Sequence, residues 1–368
     1  MLKHAESLKS KQTPSLSLLQ TVLASVSGVQ ILEKRDVEEA FIDAEVLIEL
    51  PGGTRWLILQ EYLARPEPRH LRRITSARAD EFERRAGLAK ADQAYLVVTG
   101  PWFSDEAIGI CRDHGVGFAD EQGNCLLTFG TVHIEVRGKP NPKKRKASRL
   151  DISKPKSARV VRTLLCHPHR EWKVVDLAST CEVSVGTVSR VRTRLLDREW
   201  AVEGANGFTL KKPDALLDAW LEEDDWAKRT EVREYSLLDS DPVRIAGAVR
   251  DGFAQRQSLC AFTQWFAGWL RAPYTIPPLV SAYVPSFPDD ETLRELLKAR
   301  RVDQGSGNLR LIESSDLRGL LLVGSQSVRD FPLVSDAQIY LDLKGQGLRA
   351  DEQAEELRKS KDFLAGWE

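Results

Sequence analysis

Residues 159–212, RVVRTLLCHPHREWKVVDLASTCEVSVGTVSRVRTRLLDREWAVEGANGFTLKK, decide how this chain is read. An apolar helix carrying Val160, Val161, Leu164 and Leu165 leads to Trp172-Lys-Val-Val-Asp-Leu-Ala178, a short second helix. The turn Cys181-Glu-Val-Ser184 follows, and then a third helix from Val185 to about Arg198. An alternating segment from Trp200 to Leu210 is broken by Asn206-Gly207, a dipeptide suited to a tight hairpin. This order predicts a helix–turn–helix with a β-wing, an arrangement that sets one polar helix face in a DNA major groove and the wing beside the phosphates.

At 100° per residue, Val188, Val191 and Leu195 share one side of the third helix and are expected to pack on the first two. Gly186, Thr187, Arg190, Thr193 and Arg194 fall on the other side. Ser184 stands at the N-cap position, where its hydroxyl accepts an orphan backbone N–H. Arginine at such a helix reaches guanine bidentately, and threonine reaches a base or a thymine methyl. Arg192, nearer the buried edge, is assigned to a phosphate or a salt bridge. The residues expected to touch DNA are Ser184, Gly186, Thr187, Ser189, Arg190, Thr193, Arg194, Asn206 and Lys211, with Lys143, Lys144, Arg145 and Lys146 from the preceding linker. A winged helix used only for protein contacts is the alternative.

Charge is segregated along the chain. The whole carries 53 Lys+Arg against 54 Asp+Glu, yet residues 139–212 hold 18 basic and 7 acidic residues, leaving 35 against 47 elsewhere. A basic module inside an acidic protein is the electrostatic footprint of nucleic-acid binding. Its densest part, Lys143 to Lys146 with Arg149, Lys154 and Lys156, is interleaved with Pro140, Pro142 and Pro155. That composition predicts an extended linker that tracks phosphates, or one that is merely solvated.

A chain of 368 residues accommodates two or three cores. No apolar run suits a membrane span and no signal-peptide pattern opens the sequence, so a cytoplasmic protein is expected. Cys111, Cys125, Cys166, Cys181 and Cys260 lack paired spacing, which suits a reducing compartment. Cys166, His167 and His169 have no second pair at zinc-ligand spacing, and neither a metal nor a cofactor is expected.

The N-terminal part is read as a helix at residues 14–26 and strands at Val29–Leu32, Ala44–Leu50 and Trp56–Tyr62, the last two joined by Pro51-Gly52-Gly53. A basic helix from Arg69 to Arg85 precedes a buried strand at Tyr95–Thr99. A helix at Asp105–His114 and short strands at Gly117–Ala119, Cys125–Phe129 and Val132–Val136 complete it. Helix, three strands, helix, strand resembles the PD-(D/E)xK restriction-endonuclease core. That core holds a divalent metal on carboxylates of adjacent strands and uses a lysine beside the attacking water. The resemblance sets Asp43 at the first acid, Gln60 at the second and Tyr62 at the lysine, with Glu61 on the opposite face of its strand. Tyr62 supplies no cation, so the domain is expected to be a degenerate, non-catalytic platform. The enzyme alternative is a metal-dependent nuclease with Asp43 and Gln60 as ligands.

From Pro213 the sequence reads as a mixed α/β region. It comprises a strand at Glu231–Leu237, a helix at Val243–Phe253, aromatic-rich residues from Leu259 to Leu270 and a strand at Leu279–Val284. A helix at Glu291–Arg300, strands at Leu309–Glu313 and Gly319–Val323 and two closing helices follow. Asp120-Glu-Gln-Gly-Asn124, Val132-His-Ile-Glu135, Trp172-Lys-Val-Val-Asp-Leu-Ala178, Pro213-Asp-Ala-Leu-Leu-Asp-Ala-Trp220, Pro332-Leu-Val-Ser-Asp-Ala-Gln-Ile-Tyr-Leu-Asp-Leu343 and Glu355-Glu-Leu357 occur in that order. In their order these motifs resemble the AbiEi-type antitoxins of type IV toxin–antitoxin systems. The resemblance implies a DNA-binding repressor of its own operon, paired with a nucleotidyltransferase-like toxin. Members of that family often carry Glu-x-Lys where this chain has Gln60-Glu-Tyr62.

The expected architecture is multidomain α/β. It sets a restriction-endonuclease-like domain at 1–138, a basic linker at 139–157, a winged helix–turn–helix at 158–212 and an α/β domain at 213–368. The expected function is sequence-specific regulation as a homodimer on double-stranded DNA, with half-sites about ten base pairs apart or multiples of that. A partner-binding antitoxin or scaffold with secondary DNA binding is the third alternative. Replacing Lys143, Lys144, Arg145 and Lys146 with alanine is expected to weaken specific and random duplexes alike and to flatten the salt dependence of binding; a loss confined to one duplex in a salt titration contradicts phosphate tracking.

Overall fold

The computed structural model describes residues 14–24, 26–39, 42–75, 79–139, 152, 154–314 and 316–364. The chain is mixed α/β and divides into two compact units, residues 1–148 and 149–368.

In the first unit α1 (Pro14–Ala24) precedes β1 (Gln30–Glu39), β2 (Ile42–Glu49) and β3 (Arg55–Tyr62). Next come α2 (Pro68–Thr75), α3 (Ala79–Leu88), β4 (Gln93–Gly100), α4 (Asp105–Asp113), β5 (Gly117–Asp120), β6 (Cys125–Phe129) and β7 (Val132–Val136). The strands form one sheet in chain order, parallel from β3 to β5, where helices make the crossovers, and antiparallel outside. Strand side chains alternate between faces, so each side of β3 gathers its own core. Trp56 and Ile58 meet Leu19 and Leu23 of α1, while Leu57 and Leu59 meet Leu71 of α2 and Ala107 of α4. The expected basic helix at 69–85 forms as two helices, α2 and α3, with residues 76–78 outside the described ones. The first strand runs to Glu39, beyond the apolar stretch that marked it, because pairing with β2 continues through charged residues.

The second unit opens with α5 (Pro155–Cys166), α6 (Val174–Thr180), α7 (Val185–Asp197), β8 (Ala201–Glu203) and β9 (Phe208–Leu210). It continues through α8 (Pro213–Glu223), α9 (Trp226–Arg229), β10 (Thr230–Ser236), α10 (Pro242–Gln255), β11 (Ala261–Thr263) and α11 (Gln264–Arg271). Then come β12 (Val280–Val284), α12 (Asp290–Leu297), β13 (Arg300–Val302), β14 (Leu309–Ser314) and α13 (Leu317–Leu322). The hairpin of β15 (Gln326–Val328) and β16 (Phe331–Leu333), with α14 (Asp336–Leu343) and α15 (Leu348–Arg358), closes the chain. Its large sheet runs β13-β10-β14-β12-β11-β16-β15, mixed in direction.

Three expectations change here. The strand at Gly319–Val323 is instead the helix α13, because Asp316 caps it by accepting from the Gly319 N–H at 3.3 Å. A short apolar run is compatible with either state, and the cap decides. The linker is shorter than 139–157: α5 begins at Pro155, and Ile152 is fully buried, with its N–H donating to Glu223 Oε2 at 3.1 Å. Third, 158–212 and 213–368 fall within one compact unit, residues 149–368. Leu164 and Leu165 of α5 share one continuous core with Trp220, Phe262, Ile339 and Leu343.

A buried polar chain crosses that core. Asp342, fully buried, accepts from Arg229 Nη2 at 2.6 Å, from Gln338 Nε2 at 2.7 Å and from the Thr263 hydroxyl. Gln338 Oε1 in turn accepts from Arg162 Nη2 of α5 at 2.8 Å. Removing Asp342 leaves Arg229 with Asp224 as its carboxylate and leaves Gln338 Nε2 and the Thr263 hydroxyl without their acceptor in a low-dielectric interior. Asp342→Ala is therefore expected to lower the unfolding free energy of this unit by about 3–5 kcal/mol, read from the urea midpoint. A loss no larger than that of an exposed change such as Glu352→Ala would contradict the role given to this network.

Candidate nucleic-acid interface

The third helix of the second unit is built as its sequence periodicity requires. Val188, Val191 and Leu195 are buried, and α7 packs on α5 and α6. Ser184 is the N-cap, its hydroxyl accepting from the Thr187 N–H at 3.3 Å. Facing solvent are Val185, Gly186, Arg190 and Thr193, with Ser189 and Arg194 half-buried.

Thr187 does not join that face. It is only 5% exposed, and its hydroxyl lies 3.0 Å from Ser184 Oγ and accepts from Arg190 Nη2 at 3.4 Å. Position N3 of a helix turns back over the cap, so Thr187 completes the cap and steadies Arg190 instead of reading a base. Val185 is 48% exposed, and Val175 of α6 is 64% exposed. Neither was singled out from sequence, because an isolated valine gives no polar signal. Apolar carbon there is the chemistry that meets a thymine methyl.

The ribbon of β8 and β9 is joined by a third strand-like residue. Trp172 N–H donates to Phe208 O at 2.8 Å, and Phe208 N–H donates to Trp172 O at 3.0 Å. The hairpin is tight: Gly204 N–H donates to Gly207 O at 2.9 Å, which leaves Ala205 and Asn206 between the bonded pair. Gly207 is needed for space: a Cβ there would lie 2.2 Å from the Trp172 carbonyl oxygen. Asn206 is exposed, with its N–H held by Glu171 Oε1 at 2.9 Å, and Lys211 is exposed at the end of the ribbon. Arg192 pairs with Glu203 of β8, which takes up the salt-bridge alternative and ties helix to ribbon. Arg170 stacks 3.8 Å above the Trp172 ring. Lys143, Lys144, Arg145 and Lys146 lie outside the described residues.

The first unit rearranges the expected acidic site. The register Ala44↔Gln60 carries Asp43 opposite Glu61, so these two carboxylates share a face and Gln60 lies on the other. Gln60 is fully buried; its Nε2 donates to Thr99 Oγ1 at 3.1 Å, while its Oε1 has no partner. Asp43 and Gln60 therefore do not form the expected ligand pair. Asp43 Oδ2 accepts from the Tyr62 N–H at 2.6 Å, and the Tyr62 hydroxyl donates to Glu121 at 3.1 Å. Among the described residues, no group of three His, Cys, Asp or Glu side chains is placed to hold a metal. Burial, and then the charge of Asp43, raise Glu61 from 4.5 to about 7, with Arg73 acting the other way.

Comparison with known families, curated proteins and solved structures finds no match to this chain. Among the described residues, no helix is long and apolar enough to cross a membrane.

Because Glu61 keeps its proton more readily when folded than when unfolded, its contribution to stability is fully present below about pH 4.5 and is lost as pH rises through about 7. Denaturation midpoints of the first unit, followed between pH 5 and pH 7.5, are expected to fall less in Glu61→Gln than in the native chain. Equal slopes in the two proteins would contradict a Glu61 proton held by burial and by the charge of Asp43.

Proposed function

We propose that this chain is a sequence-specific DNA-binding regulator whose α5–β9 segment works as a winged helix–turn–helix. One observation carries the reading: α7 offers Val185, Gly186, Arg190 and Thr193 to solvent, while the ribbon beside it is pinned by Trp172 and Glu171. Apolar carbon, a bare glycine and an arginine within the first two turns suit a major groove, where thymine methyls and guanine edges are read together. The excess of positive charge in residues 139–212 supplies the phosphate attraction that this reading needs.

The narrower reading is an AbiEi-like antitoxin that represses its own operon as a homodimer and pairs with a toxin; it rests on the motif order in the sequence. In it the first unit, with its restriction-endonuclease-like order of elements, is a non-cleaving platform. The facing carboxylates Asp43 and Glu61 favour a second reading, metal-assisted DNA cleavage, although position 63, two residues beyond Glu61 and just past the end of β3, is leucine and offers no cation.

The test is fluorescence anisotropy on DNA from upstream of the chain's own coding sequence and on a shuffled duplex, across salt and with magnesium, the products then run on a gel. Selective binding to intact DNA is expected, and Arg190→Ala should weaken the selective duplex by about 1–3 kcal/mol while leaving the shuffled one nearly unchanged. Equal, salt-erased binding to both duplexes overturns the regulator. Cleavage that disappears in Asp43→Ala would establish the nuclease in its place.

A further inference from the structure

The turn between α6 and α7 contains a residue whose backbone does not suit its side chain. Glu182 adopts φ 51°, the left-handed region in which glycine is at ease and a residue with a Cβ is not. Its N–H donates to Ser179 O at 3.1 Å, and the Val183 N–H donates to Ala178 O at 3.0 Å, so the turn is tightly closed. This turn sets the direction in which α7 leaves α6.

The carboxylate of Glu182 is gripped from a distant part of the chain. Arg318 of α13 donates from Nε to Oε2 at 2.7 Å and from Nη2 to Oε1 at 2.6 Å, a two-pronged contact that fixes orientation as well as distance. The same short helix holds the turn a second time through α5. Arg159 donates from Nε to Asp316 Oδ2 at 2.9 Å and from Nη1 to the Cys181 carbonyl at 3.4 Å. Arg162 Nη1 meanwhile donates to Gly319 O at 2.9 Å. Cys181 is fully buried beside Thr163, so the turn is anchored on its inner side and steered on its outer side.

We propose that Asp316 and Arg318 are positioning residues for DNA recognition: α13 clamps the α6–α7 turn at Cys181 and Glu182 and thereby aims α7. The proposal rests on the DNA-binding reading above. It goes beyond that reading by making base selectivity depend on a helix more than a hundred residues further along the chain. The Arg318–Glu182 pair is solvent-exposed, at 74% and 39%, and exposed pairs add little to global stability. Its loss should consequently redirect the helix without unfolding the protein.

The experiment compares the full native chain with Arg318→Glu and with the exchanged pair Arg318→Glu plus Glu182→Arg. Three quantities are read: the affinity ratio between the selective and shuffled duplexes, the thermal midpoint, and amide hydrogen exchange over residues 181–190. Arg318→Glu sets two carboxylates against each other and is expected to lower the affinity ratio about 5- to 10-fold, with the midpoint nearly unmoved and exchange in 181–190 faster. The exchanged pair is expected to recover most of the ratio and of the protection. An unchanged ratio and unchanged exchange in Arg318→Glu overturn the clamp, as does a fall that the exchanged pair fails to restore. If the native chain shows no duplex selectivity, the DNA-binding reading fails. Exchange over 181–190 then decides the clamp by itself: faster in Arg318→Glu and restored in the exchanged pair supports it, and anything else overturns it.

Discussion

An arginine without a carboxylate of its own organises the second unit. Arg162 lies on α5 with its side chain enclosed, and burial pushes its guanidinium below the ordinary value. Its partners are neutral: the Gly319 carbonyl, Gln338 Oε1 and, at 5.5 Å, the face of Trp220. The compensating charge sits one residue further on, because Gln338 passes the interaction to Asp342, which also holds Arg229. Burial opposes charge on Arg229, but Tyr283, Asp342 and Asp224 around it hold its pKa well above the usual value. A charge relayed in this way is tolerable only while every link stays in place. The first helix of the helix–turn–helix is thus bound to α14 and α9 by the cost of separating them, within the one compact unit of residues 149–368.

That constraint changes what kind of DNA-binding module is proposed. A winged helix on a flexible tether would orient itself on the duplex independently of the rest of the protein. Here the module's first helix is part of a larger core, its α6–α7 turn is held by α13, and its ribbon is bound to Trp172. On the proposed reading, a module held in this way would meet DNA already oriented and would lose little ordering entropy on binding. It follows that changes in the C-terminal sheet region can be felt at α7 through contacts that touch no base.

Much of this was legible in the chain. Apolar residues at helical spacing placed α5, α6 and α7, and Ser184 marked the start of α7 correctly. Alternation and the Pro51-Gly52-Gly53 turn placed β2 and β3. The misreadings have definite causes. Periodicity put Thr187 on the open face, but a helix's first turn folds back over its cap and the hydroxyl is used there. The resemblance to the nuclease core set Asp43 with Gln60, whereas antiparallel register sets it with Glu61, and a shift of one residue exchanges the faces. The apolar run at 319–323 carries no period of its own, and only the contact from Asp316 makes it a helix.

The sequence alone determined most local matters: where most helices and strands lie, where charge accumulates, and which residues of α7 pack inward. These follow from spacing and composition, since they involve neighbours within a turn or two. Tertiary structure decided the joins. The partnership of Arg162 with Gln338 spans 176 positions, and that of Arg318 with Glu182 spans 136. Partners so far apart leave no periodic trace, because what brings them together is the packing of a shared core and the cost of leaving a buried charge unmet.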